Sequence, residues 1–350
     1  MNDLRRRLVW LLFPILGALV AVARAGPADH RLDIYWVDVE GGAATLIVTP
    51  AGESLLVDCG FPGDRDAGRV CHVAADVAGL KKIDCLVTTH YHLDHFGGAP
   101  TLAKLMPVGT VYDNGDFKEG WEKPSREYRE FAADKRVVLN PGDEIPFASG
   151  GTSPAVHVRC MAAKQKFVEP PAGASANPDC KNAKRQRPDY TDNANSIVLL
   201  LTFGDFRFYD GGDLTWNNEL KLVCPTRLVP PVDVFQVTHH GNDASNPPEL
   251  IKALSPTIAV INNGPRKGGQ PRTFAMLKAA PSIRAIYQLH RNLAEGQEQA
   301  NTDESLIANV KEQCDGNYVK VSVAPDSRSY TVTIPGTGHS QRFDTKPASR

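Results

Sequence analysis

The chain carries no Cys-x-x-Cys pair, no Gly-x-Gly-x-x-Gly or P-loop, and no second long apolar run after residue 22. The first absence excludes a structural zinc knuckle. The second excludes a nucleotide cofactor cradled on a glycine-rich loop. The third leaves nothing from which to build a multi-pass channel. Charge of one sign is also lacking: 39 Lys and Arg face 40 Asp and Glu, a formal net charge of −1. That balance indicates neither a nucleic-acid partner nor an anionic membrane surface. An apolar fraction of 42% over 350 residues is enough for one large buried core.

The N-terminus speaks to the compartment. Arg5, Arg6 and Arg7 precede an apolar run from Leu8 to Val22, and Ala23-Arg24-Ala25 supplies a small-x-small cleavage site. This order predicts a signal peptide over residues 1–25, cut after Ala25, with a secreted or periplasmic product. A retained anchor is the alternative, but the run is 15 residues long and interrupted by Pro14 and Gly17. Roughly 20 are needed to cross a bilayer, so no membrane span is expected after cleavage. In an oxidising compartment some of the seven cysteines should pair, and the odd count leaves at least one over. Cys160 and Cys180 bracket a Pro-, Ala- and Gly-rich loop and are the expected pair.

Short apolar runs at Leu32–Val39, Ala44–Thr49, Ser54–Val57 and Ile83–Thr89 read as strands, with helical patterns over Ala67–Leu80 and Gly98–Leu105. Further strands are expected at 196–203, 207–209, 232–238, 257–261, 285–289, 318–323 and 330–334. The stretch 113–190 is irregular and Pro-rich, and is expected to be a variable surface insertion. One domain is expected over 26–340, with a polar, frayed tail at 341–350.

Chemistry concentrates at Thr89-His90-Tyr91-His92-Leu93-Asp94-His95-Phe96-Gly97-Gly98. Four metal-capable side chains fall where an apolar strand ends and a glycine-flanked helix begins. Such a turn can aim His90 and His92 at one ion and Asp94 and His95 at another. Imidazole and carboxylate together suit zinc, with manganese or iron possible. Downstream, Asp210-Gly211-Gly212-Asp213 follows a strand, and Asp213 is a candidate to bridge both ions; a plain turn aspartate is the alternative. His239-His240-Gly241 also ends a strand, and one of its two histidines is expected to bind metal while the other serves as an acid, a base or a substrate contact. His240 is the first expectation for the ligand and His239 for the other role. Asp58 is expected to hold a ligand histidine by its other nitrogen. His30, His72, His157, His290 and His339 are isolated and read as bland.

With HxHxDH at 90–95, the turn Asp38-Val39-Glu40-Gly41-Gly42-Ala43-Ala44, Asn195-Ser196-Ile197-Val198, Gly212-Asp213 and Asp233–Gly241, the mature chain resembles the metallo-β-lactamase superfamily. Within it, the chain is most similar to the hydrolase domain of ComEC-type competence proteins. The resemblance implies an α/β fold, an αββα sandwich of two mixed β-sheets with helices outside. It also implies two Zn2+ ions, with Asp94 both a ligand and a catalytic residue. Many members place another histidine between HxHxDH and the bridging aspartate. This chain offers only His157 there, so Asn195 or water is expected to serve. The relatives' His-Pro appears as Gln270-Pro271.

The implied activity is hydrolysis by a metal-bound hydroxide, since paired divalent ions bring the pKa of a shared water toward about 7. The first expectation for substrate is a phosphoester or phosphodiester, met by some of Arg185, Arg187, Arg266, Lys267 and Arg272, although such basic residues commonly form a solvated face. A β-lactamase or other amide or ester hydrolase is the alternative enzyme. A catalytically idle metal-binding module is the alternative outside enzymes. A small molecule or phosphoester is the expected partner, and nucleic acid is not indicated by charge.

Overall fold

A computed structural model describes residues 29–115, 123–148 and 154–347. The expected signal peptide at 1–25 lies outside the described residues. In chain order the strands are β1 (Leu32–Trp36), β2 (Thr45–Val48), β3 (Ser54–Val57), β4 (Ile83–Val87), β5 (Val108–Asp113), β6 (Lys135–Val138), β7 (Glu144–Ile145), β8 (Val156–Ala163), β9 (Lys166–Phe167), β10 (Val198–Phe203), β11 (Phe206–Asp210), β12 (Val234–Gln236), β13 (Ile258–Ile261), β14 (Ala285–His290), β15 (Ile307–Asn309), β16 (Val319–Val323), β17 (Ser329–Ile334) and β18 (His339–Asp344). They form two mixed nine-stranded sheets. One runs β18-β17-β16-β1-β2-β3-β4-β5-β6, and the other β15-β14-β13-β12-β11-β10-β8-β7 with β9 on β8.

The sheets face each other because their inward residues are apolar and buried. Leu32, Ile34 and Trp36 of β1 share a core with Leu199, Leu201 and Phe203 of β10 and Phe206 and Phe208 of β11. Helices α1 (Asp64–His72), α2 (Leu93–Phe96), α3 (Ala99–Leu105) and α4 (Arg126–Glu130) follow in the first half of the chain. There Ala67, Val70, Phe96, Ala99, Leu102 and Tyr128 cover the outer face of the first sheet. Helices α5 (Trp216–Lys221), α6 (Pro248–Leu254) and α7 (Pro271–Ala279) follow in the second half. Leu220, Leu250, Ile251, Leu254, Phe274 and Leu277 lie on these elements and on the outer face of the second sheet, most of them in one cluster. The result is the αββα sandwich that the resemblance implies.

A polar bridge crosses the central core. Trp36 Nε1 and Thr45 Oγ1 both donate to Gln236 Oε1, at 2.8 and 2.7 Å, and Gln236 Nε2 donates to Asp210 Oδ1 at 2.9 Å. Trp36 is wholly buried and meets Phe208 edge-on, with ring centroids 5.5 Å apart. Trp36→Ala is therefore expected to cost about 3–5 kcal/mol in urea or thermal unfolding, by opening a cavity and removing one of the two donors to the Gln236 oxygen. A loss below about 1 kcal/mol would mean that the core closes over the gap.

Three expectations are corrected. Residues 113–190 are not simply a surface insertion: β6 extends the first sheet, and β8 lies between β7 and β10 in the second. The alternation in β8 explains this, since Val158 and Cys160 are buried while His157 and Arg159 face out. The tail is not frayed from 341, because β18 pairs with β17 from His339 to Asp344. Cys160 does not pair with Cys180. It points into the central core, and Cys180 is bonded to Cys224 just beyond α5. Cys59, Cys71, Cys85, Cys160 and Cys314 are free thiols.

Candidate metal centre

The side chains singled out at strand ends meet at one edge of the sandwich. His90, His92, Asp94 and His95 follow β4 of the first sheet; Asp213 follows β11 and His239-His240 follow β12 of the second. Neither sheet alone supplies the site.

Asp94, His95, Asp213 and His240 converge in one group. His240 Nε2 lies 3.2 Å from both His95 Nε2 and Asp94 Oδ2, and 3.3 Å from Asp213 Oδ2. His95 Nε2 lies 3.3 Å from Asp213 Oδ2 and 3.4 Å from Asp94 Oδ2. A regular tetrahedron with arms of about 2.0 Å has edges of about 3.3 Å, so this donor set fits a zinc-type ion. His90, His92 and Asp213 form a looser second group, with His90 Nε2 3.0 Å from His92 Nδ1 and 4.0 Å from Asp213 Oδ2. Asp213 belongs to both groups, and its buried Oδ1 has no hydrogen-bond partner.

The rings are aimed from behind. Asp58 Oδ2 accepts from His95 Nδ1 at 2.6 Å and from Thr89 Oγ1 at 2.7 Å, and Asp58 Oδ1 accepts from the Thr89 amide at 2.8 Å. With its hydroxyl proton given to Asp58, Thr89 Oγ1 is left to accept from His90 Nδ1, 3.1 Å away. The Nδ1 of each ring is thereby turned outward, which leaves Nε2 of both histidines facing the site, and the outer layer fixes their direction.

Electrostatics follow from crowding. Burial alone would lower the pKa of His95, but Asp213, Asp58 and Asp94 outweigh it and hold the ring well above the usual range. Burial opposes ionisation of Asp94 and Asp213, yet the neighbouring histidines hold both well below the usual carboxylate range. His90, buried and beside His95, is held well below the usual histidine range. Asp210 accepts from the Gly212 amide at 3.0 Å, and burial pushes its pKa up to about 7.

The turn that carries the late histidines is strained. His239, His240 and Gly241 have φ of 58°, 54° and 77°, three consecutive residues in left-handed backbone. Side chains resist that region, and strain of this kind is held only where the surroundings enforce it. Asn246 does so here: its Oδ1 accepts from the Thr238 amide at 3.1 Å, and its Nδ2 donates to Thr238 O at 3.0 Å. The early turn is pinned as well. The Ala43 amide donates to Asp94 O at 3.1 Å, and a Cβ on Gly42 would lie 2.5 Å from that oxygen, so the approach requires glycine.

His239 stands beside the first group rather than in it, with Nε2 3.5 Å from Asp213 Oδ2. Asn193 Nδ2 lies 3.4 Å from the same nitrogen, and Ser245 Oγ lies 3.1 Å from Nδ1 while donating to Leu214 O at 2.9 Å. Those partners assign the proton to Nδ1. Asn195, the expected substitute for a missing histidine, is turned away: its amide donates to Asp192 Oδ1 at 2.9 Å and its oxygen accepts from Gln165 at 3.3 Å. Two residues earlier, Asn193 is the asparagine at the site. Of the five basic candidates, Arg266 pairs with Glu312 at 2.8 Å and Arg272 lies 4.5 Å over the Trp216 ring. Lys267 reaches the centre, its Nζ in contact with Asp94 Oδ2.

Residues 37–158 match the profile of the metallo-beta-lactamase superfamily. A UPF0173 metal-dependent hydrolase of Cupriavidus taiwanensis is 33% identical over 270 residues, which cover 75% of this chain and 85% of that protein. Competence protein ComA of Neisseria gonorrhoeae is 24% identical over 255 residues, 73% of this chain but 30% of ComA. The chain thus spans less than a third of that relative. The solved structure of CmlA, a diiron beta-hydroxylase from Streptomyces venezuelae, is 15% identical with a TM-score of 0.36, covering 66% of this chain and 44% of CmlA.

Proposed function

The chain belongs to the metallo-β-lactamase superfamily as a metal-dependent hydrolase, and from that premise we propose that it cleaves a phosphoester or phosphodiester with a zinc-type pair of ions. The observation that supports this reading is the pair of donor groups sharing Asp213, with the Lys267 ammonium at their rim. Divalent cations held there would polarise a phosphoryl oxygen and make a nearby water more acidic. Asp94, His95 and His240 would hold one cation, His90 and His92 the other, and Asp213 both.

The remaining duties belong to side chains. Lys267 would meet a non-bridging phosphate oxygen, leaving Asp94 to its cation. His239 would take a proton at Nε2, because burial holds its pKa below the usual value and the ring is neutral near pH 7. Asn193 and Ser245 keep that ring in place from its two nitrogens.

Export, with cleavage after Ala25, belongs to the same proposal. It is supported by the Cys180–Cys224 disulfide, a bond that persists in oxidising compartments. No helix of the described residues is long and apolar enough to cross a membrane.

The test is metal content and turnover on one sample of the chain from Gly26. About two zinc per chain, with hydrolysis of bis-p-nitrophenyl phosphate abolished by chelation, is the expected result. Turnover of a chromogenic cephalosporin instead would replace the phosphoester reading. Lys267→Ala is expected to raise KM for the phosphodiester about 10- to 100-fold, the worth of one charged hydrogen bond. An unchanged KM would confine Lys267 to holding Asp94.

A further inference from the structure

A second set of metal-capable side chains stands outside the centre described above. Asp38 follows β1, His290 ends β14, and Cys314 lies in the loop before β16. His290 Nε2 is 2.8 Å from Asp38 Oδ1, and Cys314 Sγ is 3.2 Å from Asp38 Oδ2 and 3.8 Å from His290 Nε2. Asp38 and His290 are wholly buried, and Cys314 is partly exposed. We propose that Asp38, His290 and Cys314 bind a further zinc-type cation, distinct from the His/Asp centre.

The donor chemistry carries the argument. Imidazole, carboxylate and thiolate are the three ligand types that zinc takes, with bonds of about 2.0–2.3 Å, so neighbouring donors of one ion stand about 3–4 Å apart. With the carboxylate offering Oδ1 toward His290 and Oδ2 toward Cys314, all three separations lie within or close to that range. Charge agrees: a carboxylate and a thiolate together neutralise a dication, and a neutral imidazole completes a three-donor set with one position left for water. The described residues place no fourth side chain in the group. Cys314 marks the solvent side, and hence the entry path.

Arg69 is the obvious objection, because its guanidinium also reaches this point. Its geometry suits an outer support. Nη1 is 3.0 Å from Asp38 Oδ2 and 3.1 Å from Glu40 Oε1, and Nη2 donates to Cys314 O at 3.2 Å while lying 3.6 Å from Cys314 Sγ. Glu40 answers its charge. Arg69 holds the carboxylate by Oδ2, the oxygen nearer Cys314, and leaves Oδ1 to His290, so it fixes the direction of a ligand from outside. The loop is shaped for it: Gly316 has φ of 74°, and a Cβ there would lie 2.6 Å from Arg69 Nε.

Burial disfavours a charged His290 ring, but its hydrogen bond to the Asp38 carboxylate and the contact with Cys314 push its pKa up to about 9.

Cobalt substitution of the full chain separates the two kinds of centre. The His/Asp groups contain no sulfur, so thiolate-to-cobalt charge-transfer absorption in the near ultraviolet is the expected signature of the proposed site. Cys314→Ser should lose that band and one equivalent of cobalt while keeping the visible bands of the histidine-rich groups. Zinc should also slow alkylation of Cys314 in the unaltered chain, followed by mass spectrometry. The proposal is overturned if the unaltered chain shows no thiolate band, if Cys314→Ser or Cys314→Ala keeps it, or if zinc leaves the alkylation rate unchanged. None of these readouts depends on turnover, so they stand whether or not the phosphoester reading does.

Discussion

Asp213→Ala is expected to lose hydrolysis almost entirely, with a fall in kcat/KM beyond about 100-fold. That floor comes from residues behind a metal ligand, whose loss alone costs about 10- to 100-fold. Asp213 offers its oxygens directly, and it is the one carboxylate common to both donor groups. Its removal leaves His90 and His92 with no acidic partner in their group, and leaves His95 and His240 with Asp94 alone. Metal per chain should fall in the same sample, since two imidazoles with no carboxylate in one group, and two with Asp94 alone in the other, hold a dication poorly. If Asp213→Ala retained both metal and turnover, the chemistry would have to lie elsewhere. Loss of turnover with full metal content would recast Asp213 as a group that acts on the substrate.

Asp58→Ala is expected to weaken metal retention about 10- to 100-fold against a competing chelator. The carboxylate touches no other member of the donor groups but orients two histidines, His95 directly and His90 through Thr89. Asp58→Asn is the control, because it keeps shape and an acceptor oxygen, and it should fall between the two. The pH dependence has a definite sign. Before metal binds, His95 has a raised pKa and carries a proton that a cation must displace. Retention should therefore weaken as pH falls and strengthen as it rises. Equal retention in Asp58→Ala and the unaltered chain would show that packing alone aims the rings.

Much of the centre was legible because its donors are local. His90 to His95 lie within six residues at the end of one strand, and Asp213 and His240 sit just beyond strand ends marked by glycine. Asp58 was legible for the same reason. What escaped depends on tertiary approach. Asn193 and Asn195 differ by two positions in a short 3-10 turn, and only the direction of that turn decides which side chain reaches His239. His290 looked isolated because its partner Asp38 is 252 residues away. The Cys180–Cys224 bond joins segments 44 residues apart, and spacing alone could not choose it over Cys160. β8 was hidden because its outward face carries His157 and Arg159, which dilute the apolar signal of Val158 and Cys160.

The division of the centre between the two sheets also bears on how the protein is made. A nascent chain delivers His90, His92, Asp94 and His95 long before Asp213 and His240 exist. A cation captured early would have only the first four donors, and tight capture has to wait for the second sheet to close over the first. Metal retention would then report that two halves synthesised at different times have found each other, and a chain misassembled between them would be marked by its failure to hold the ion.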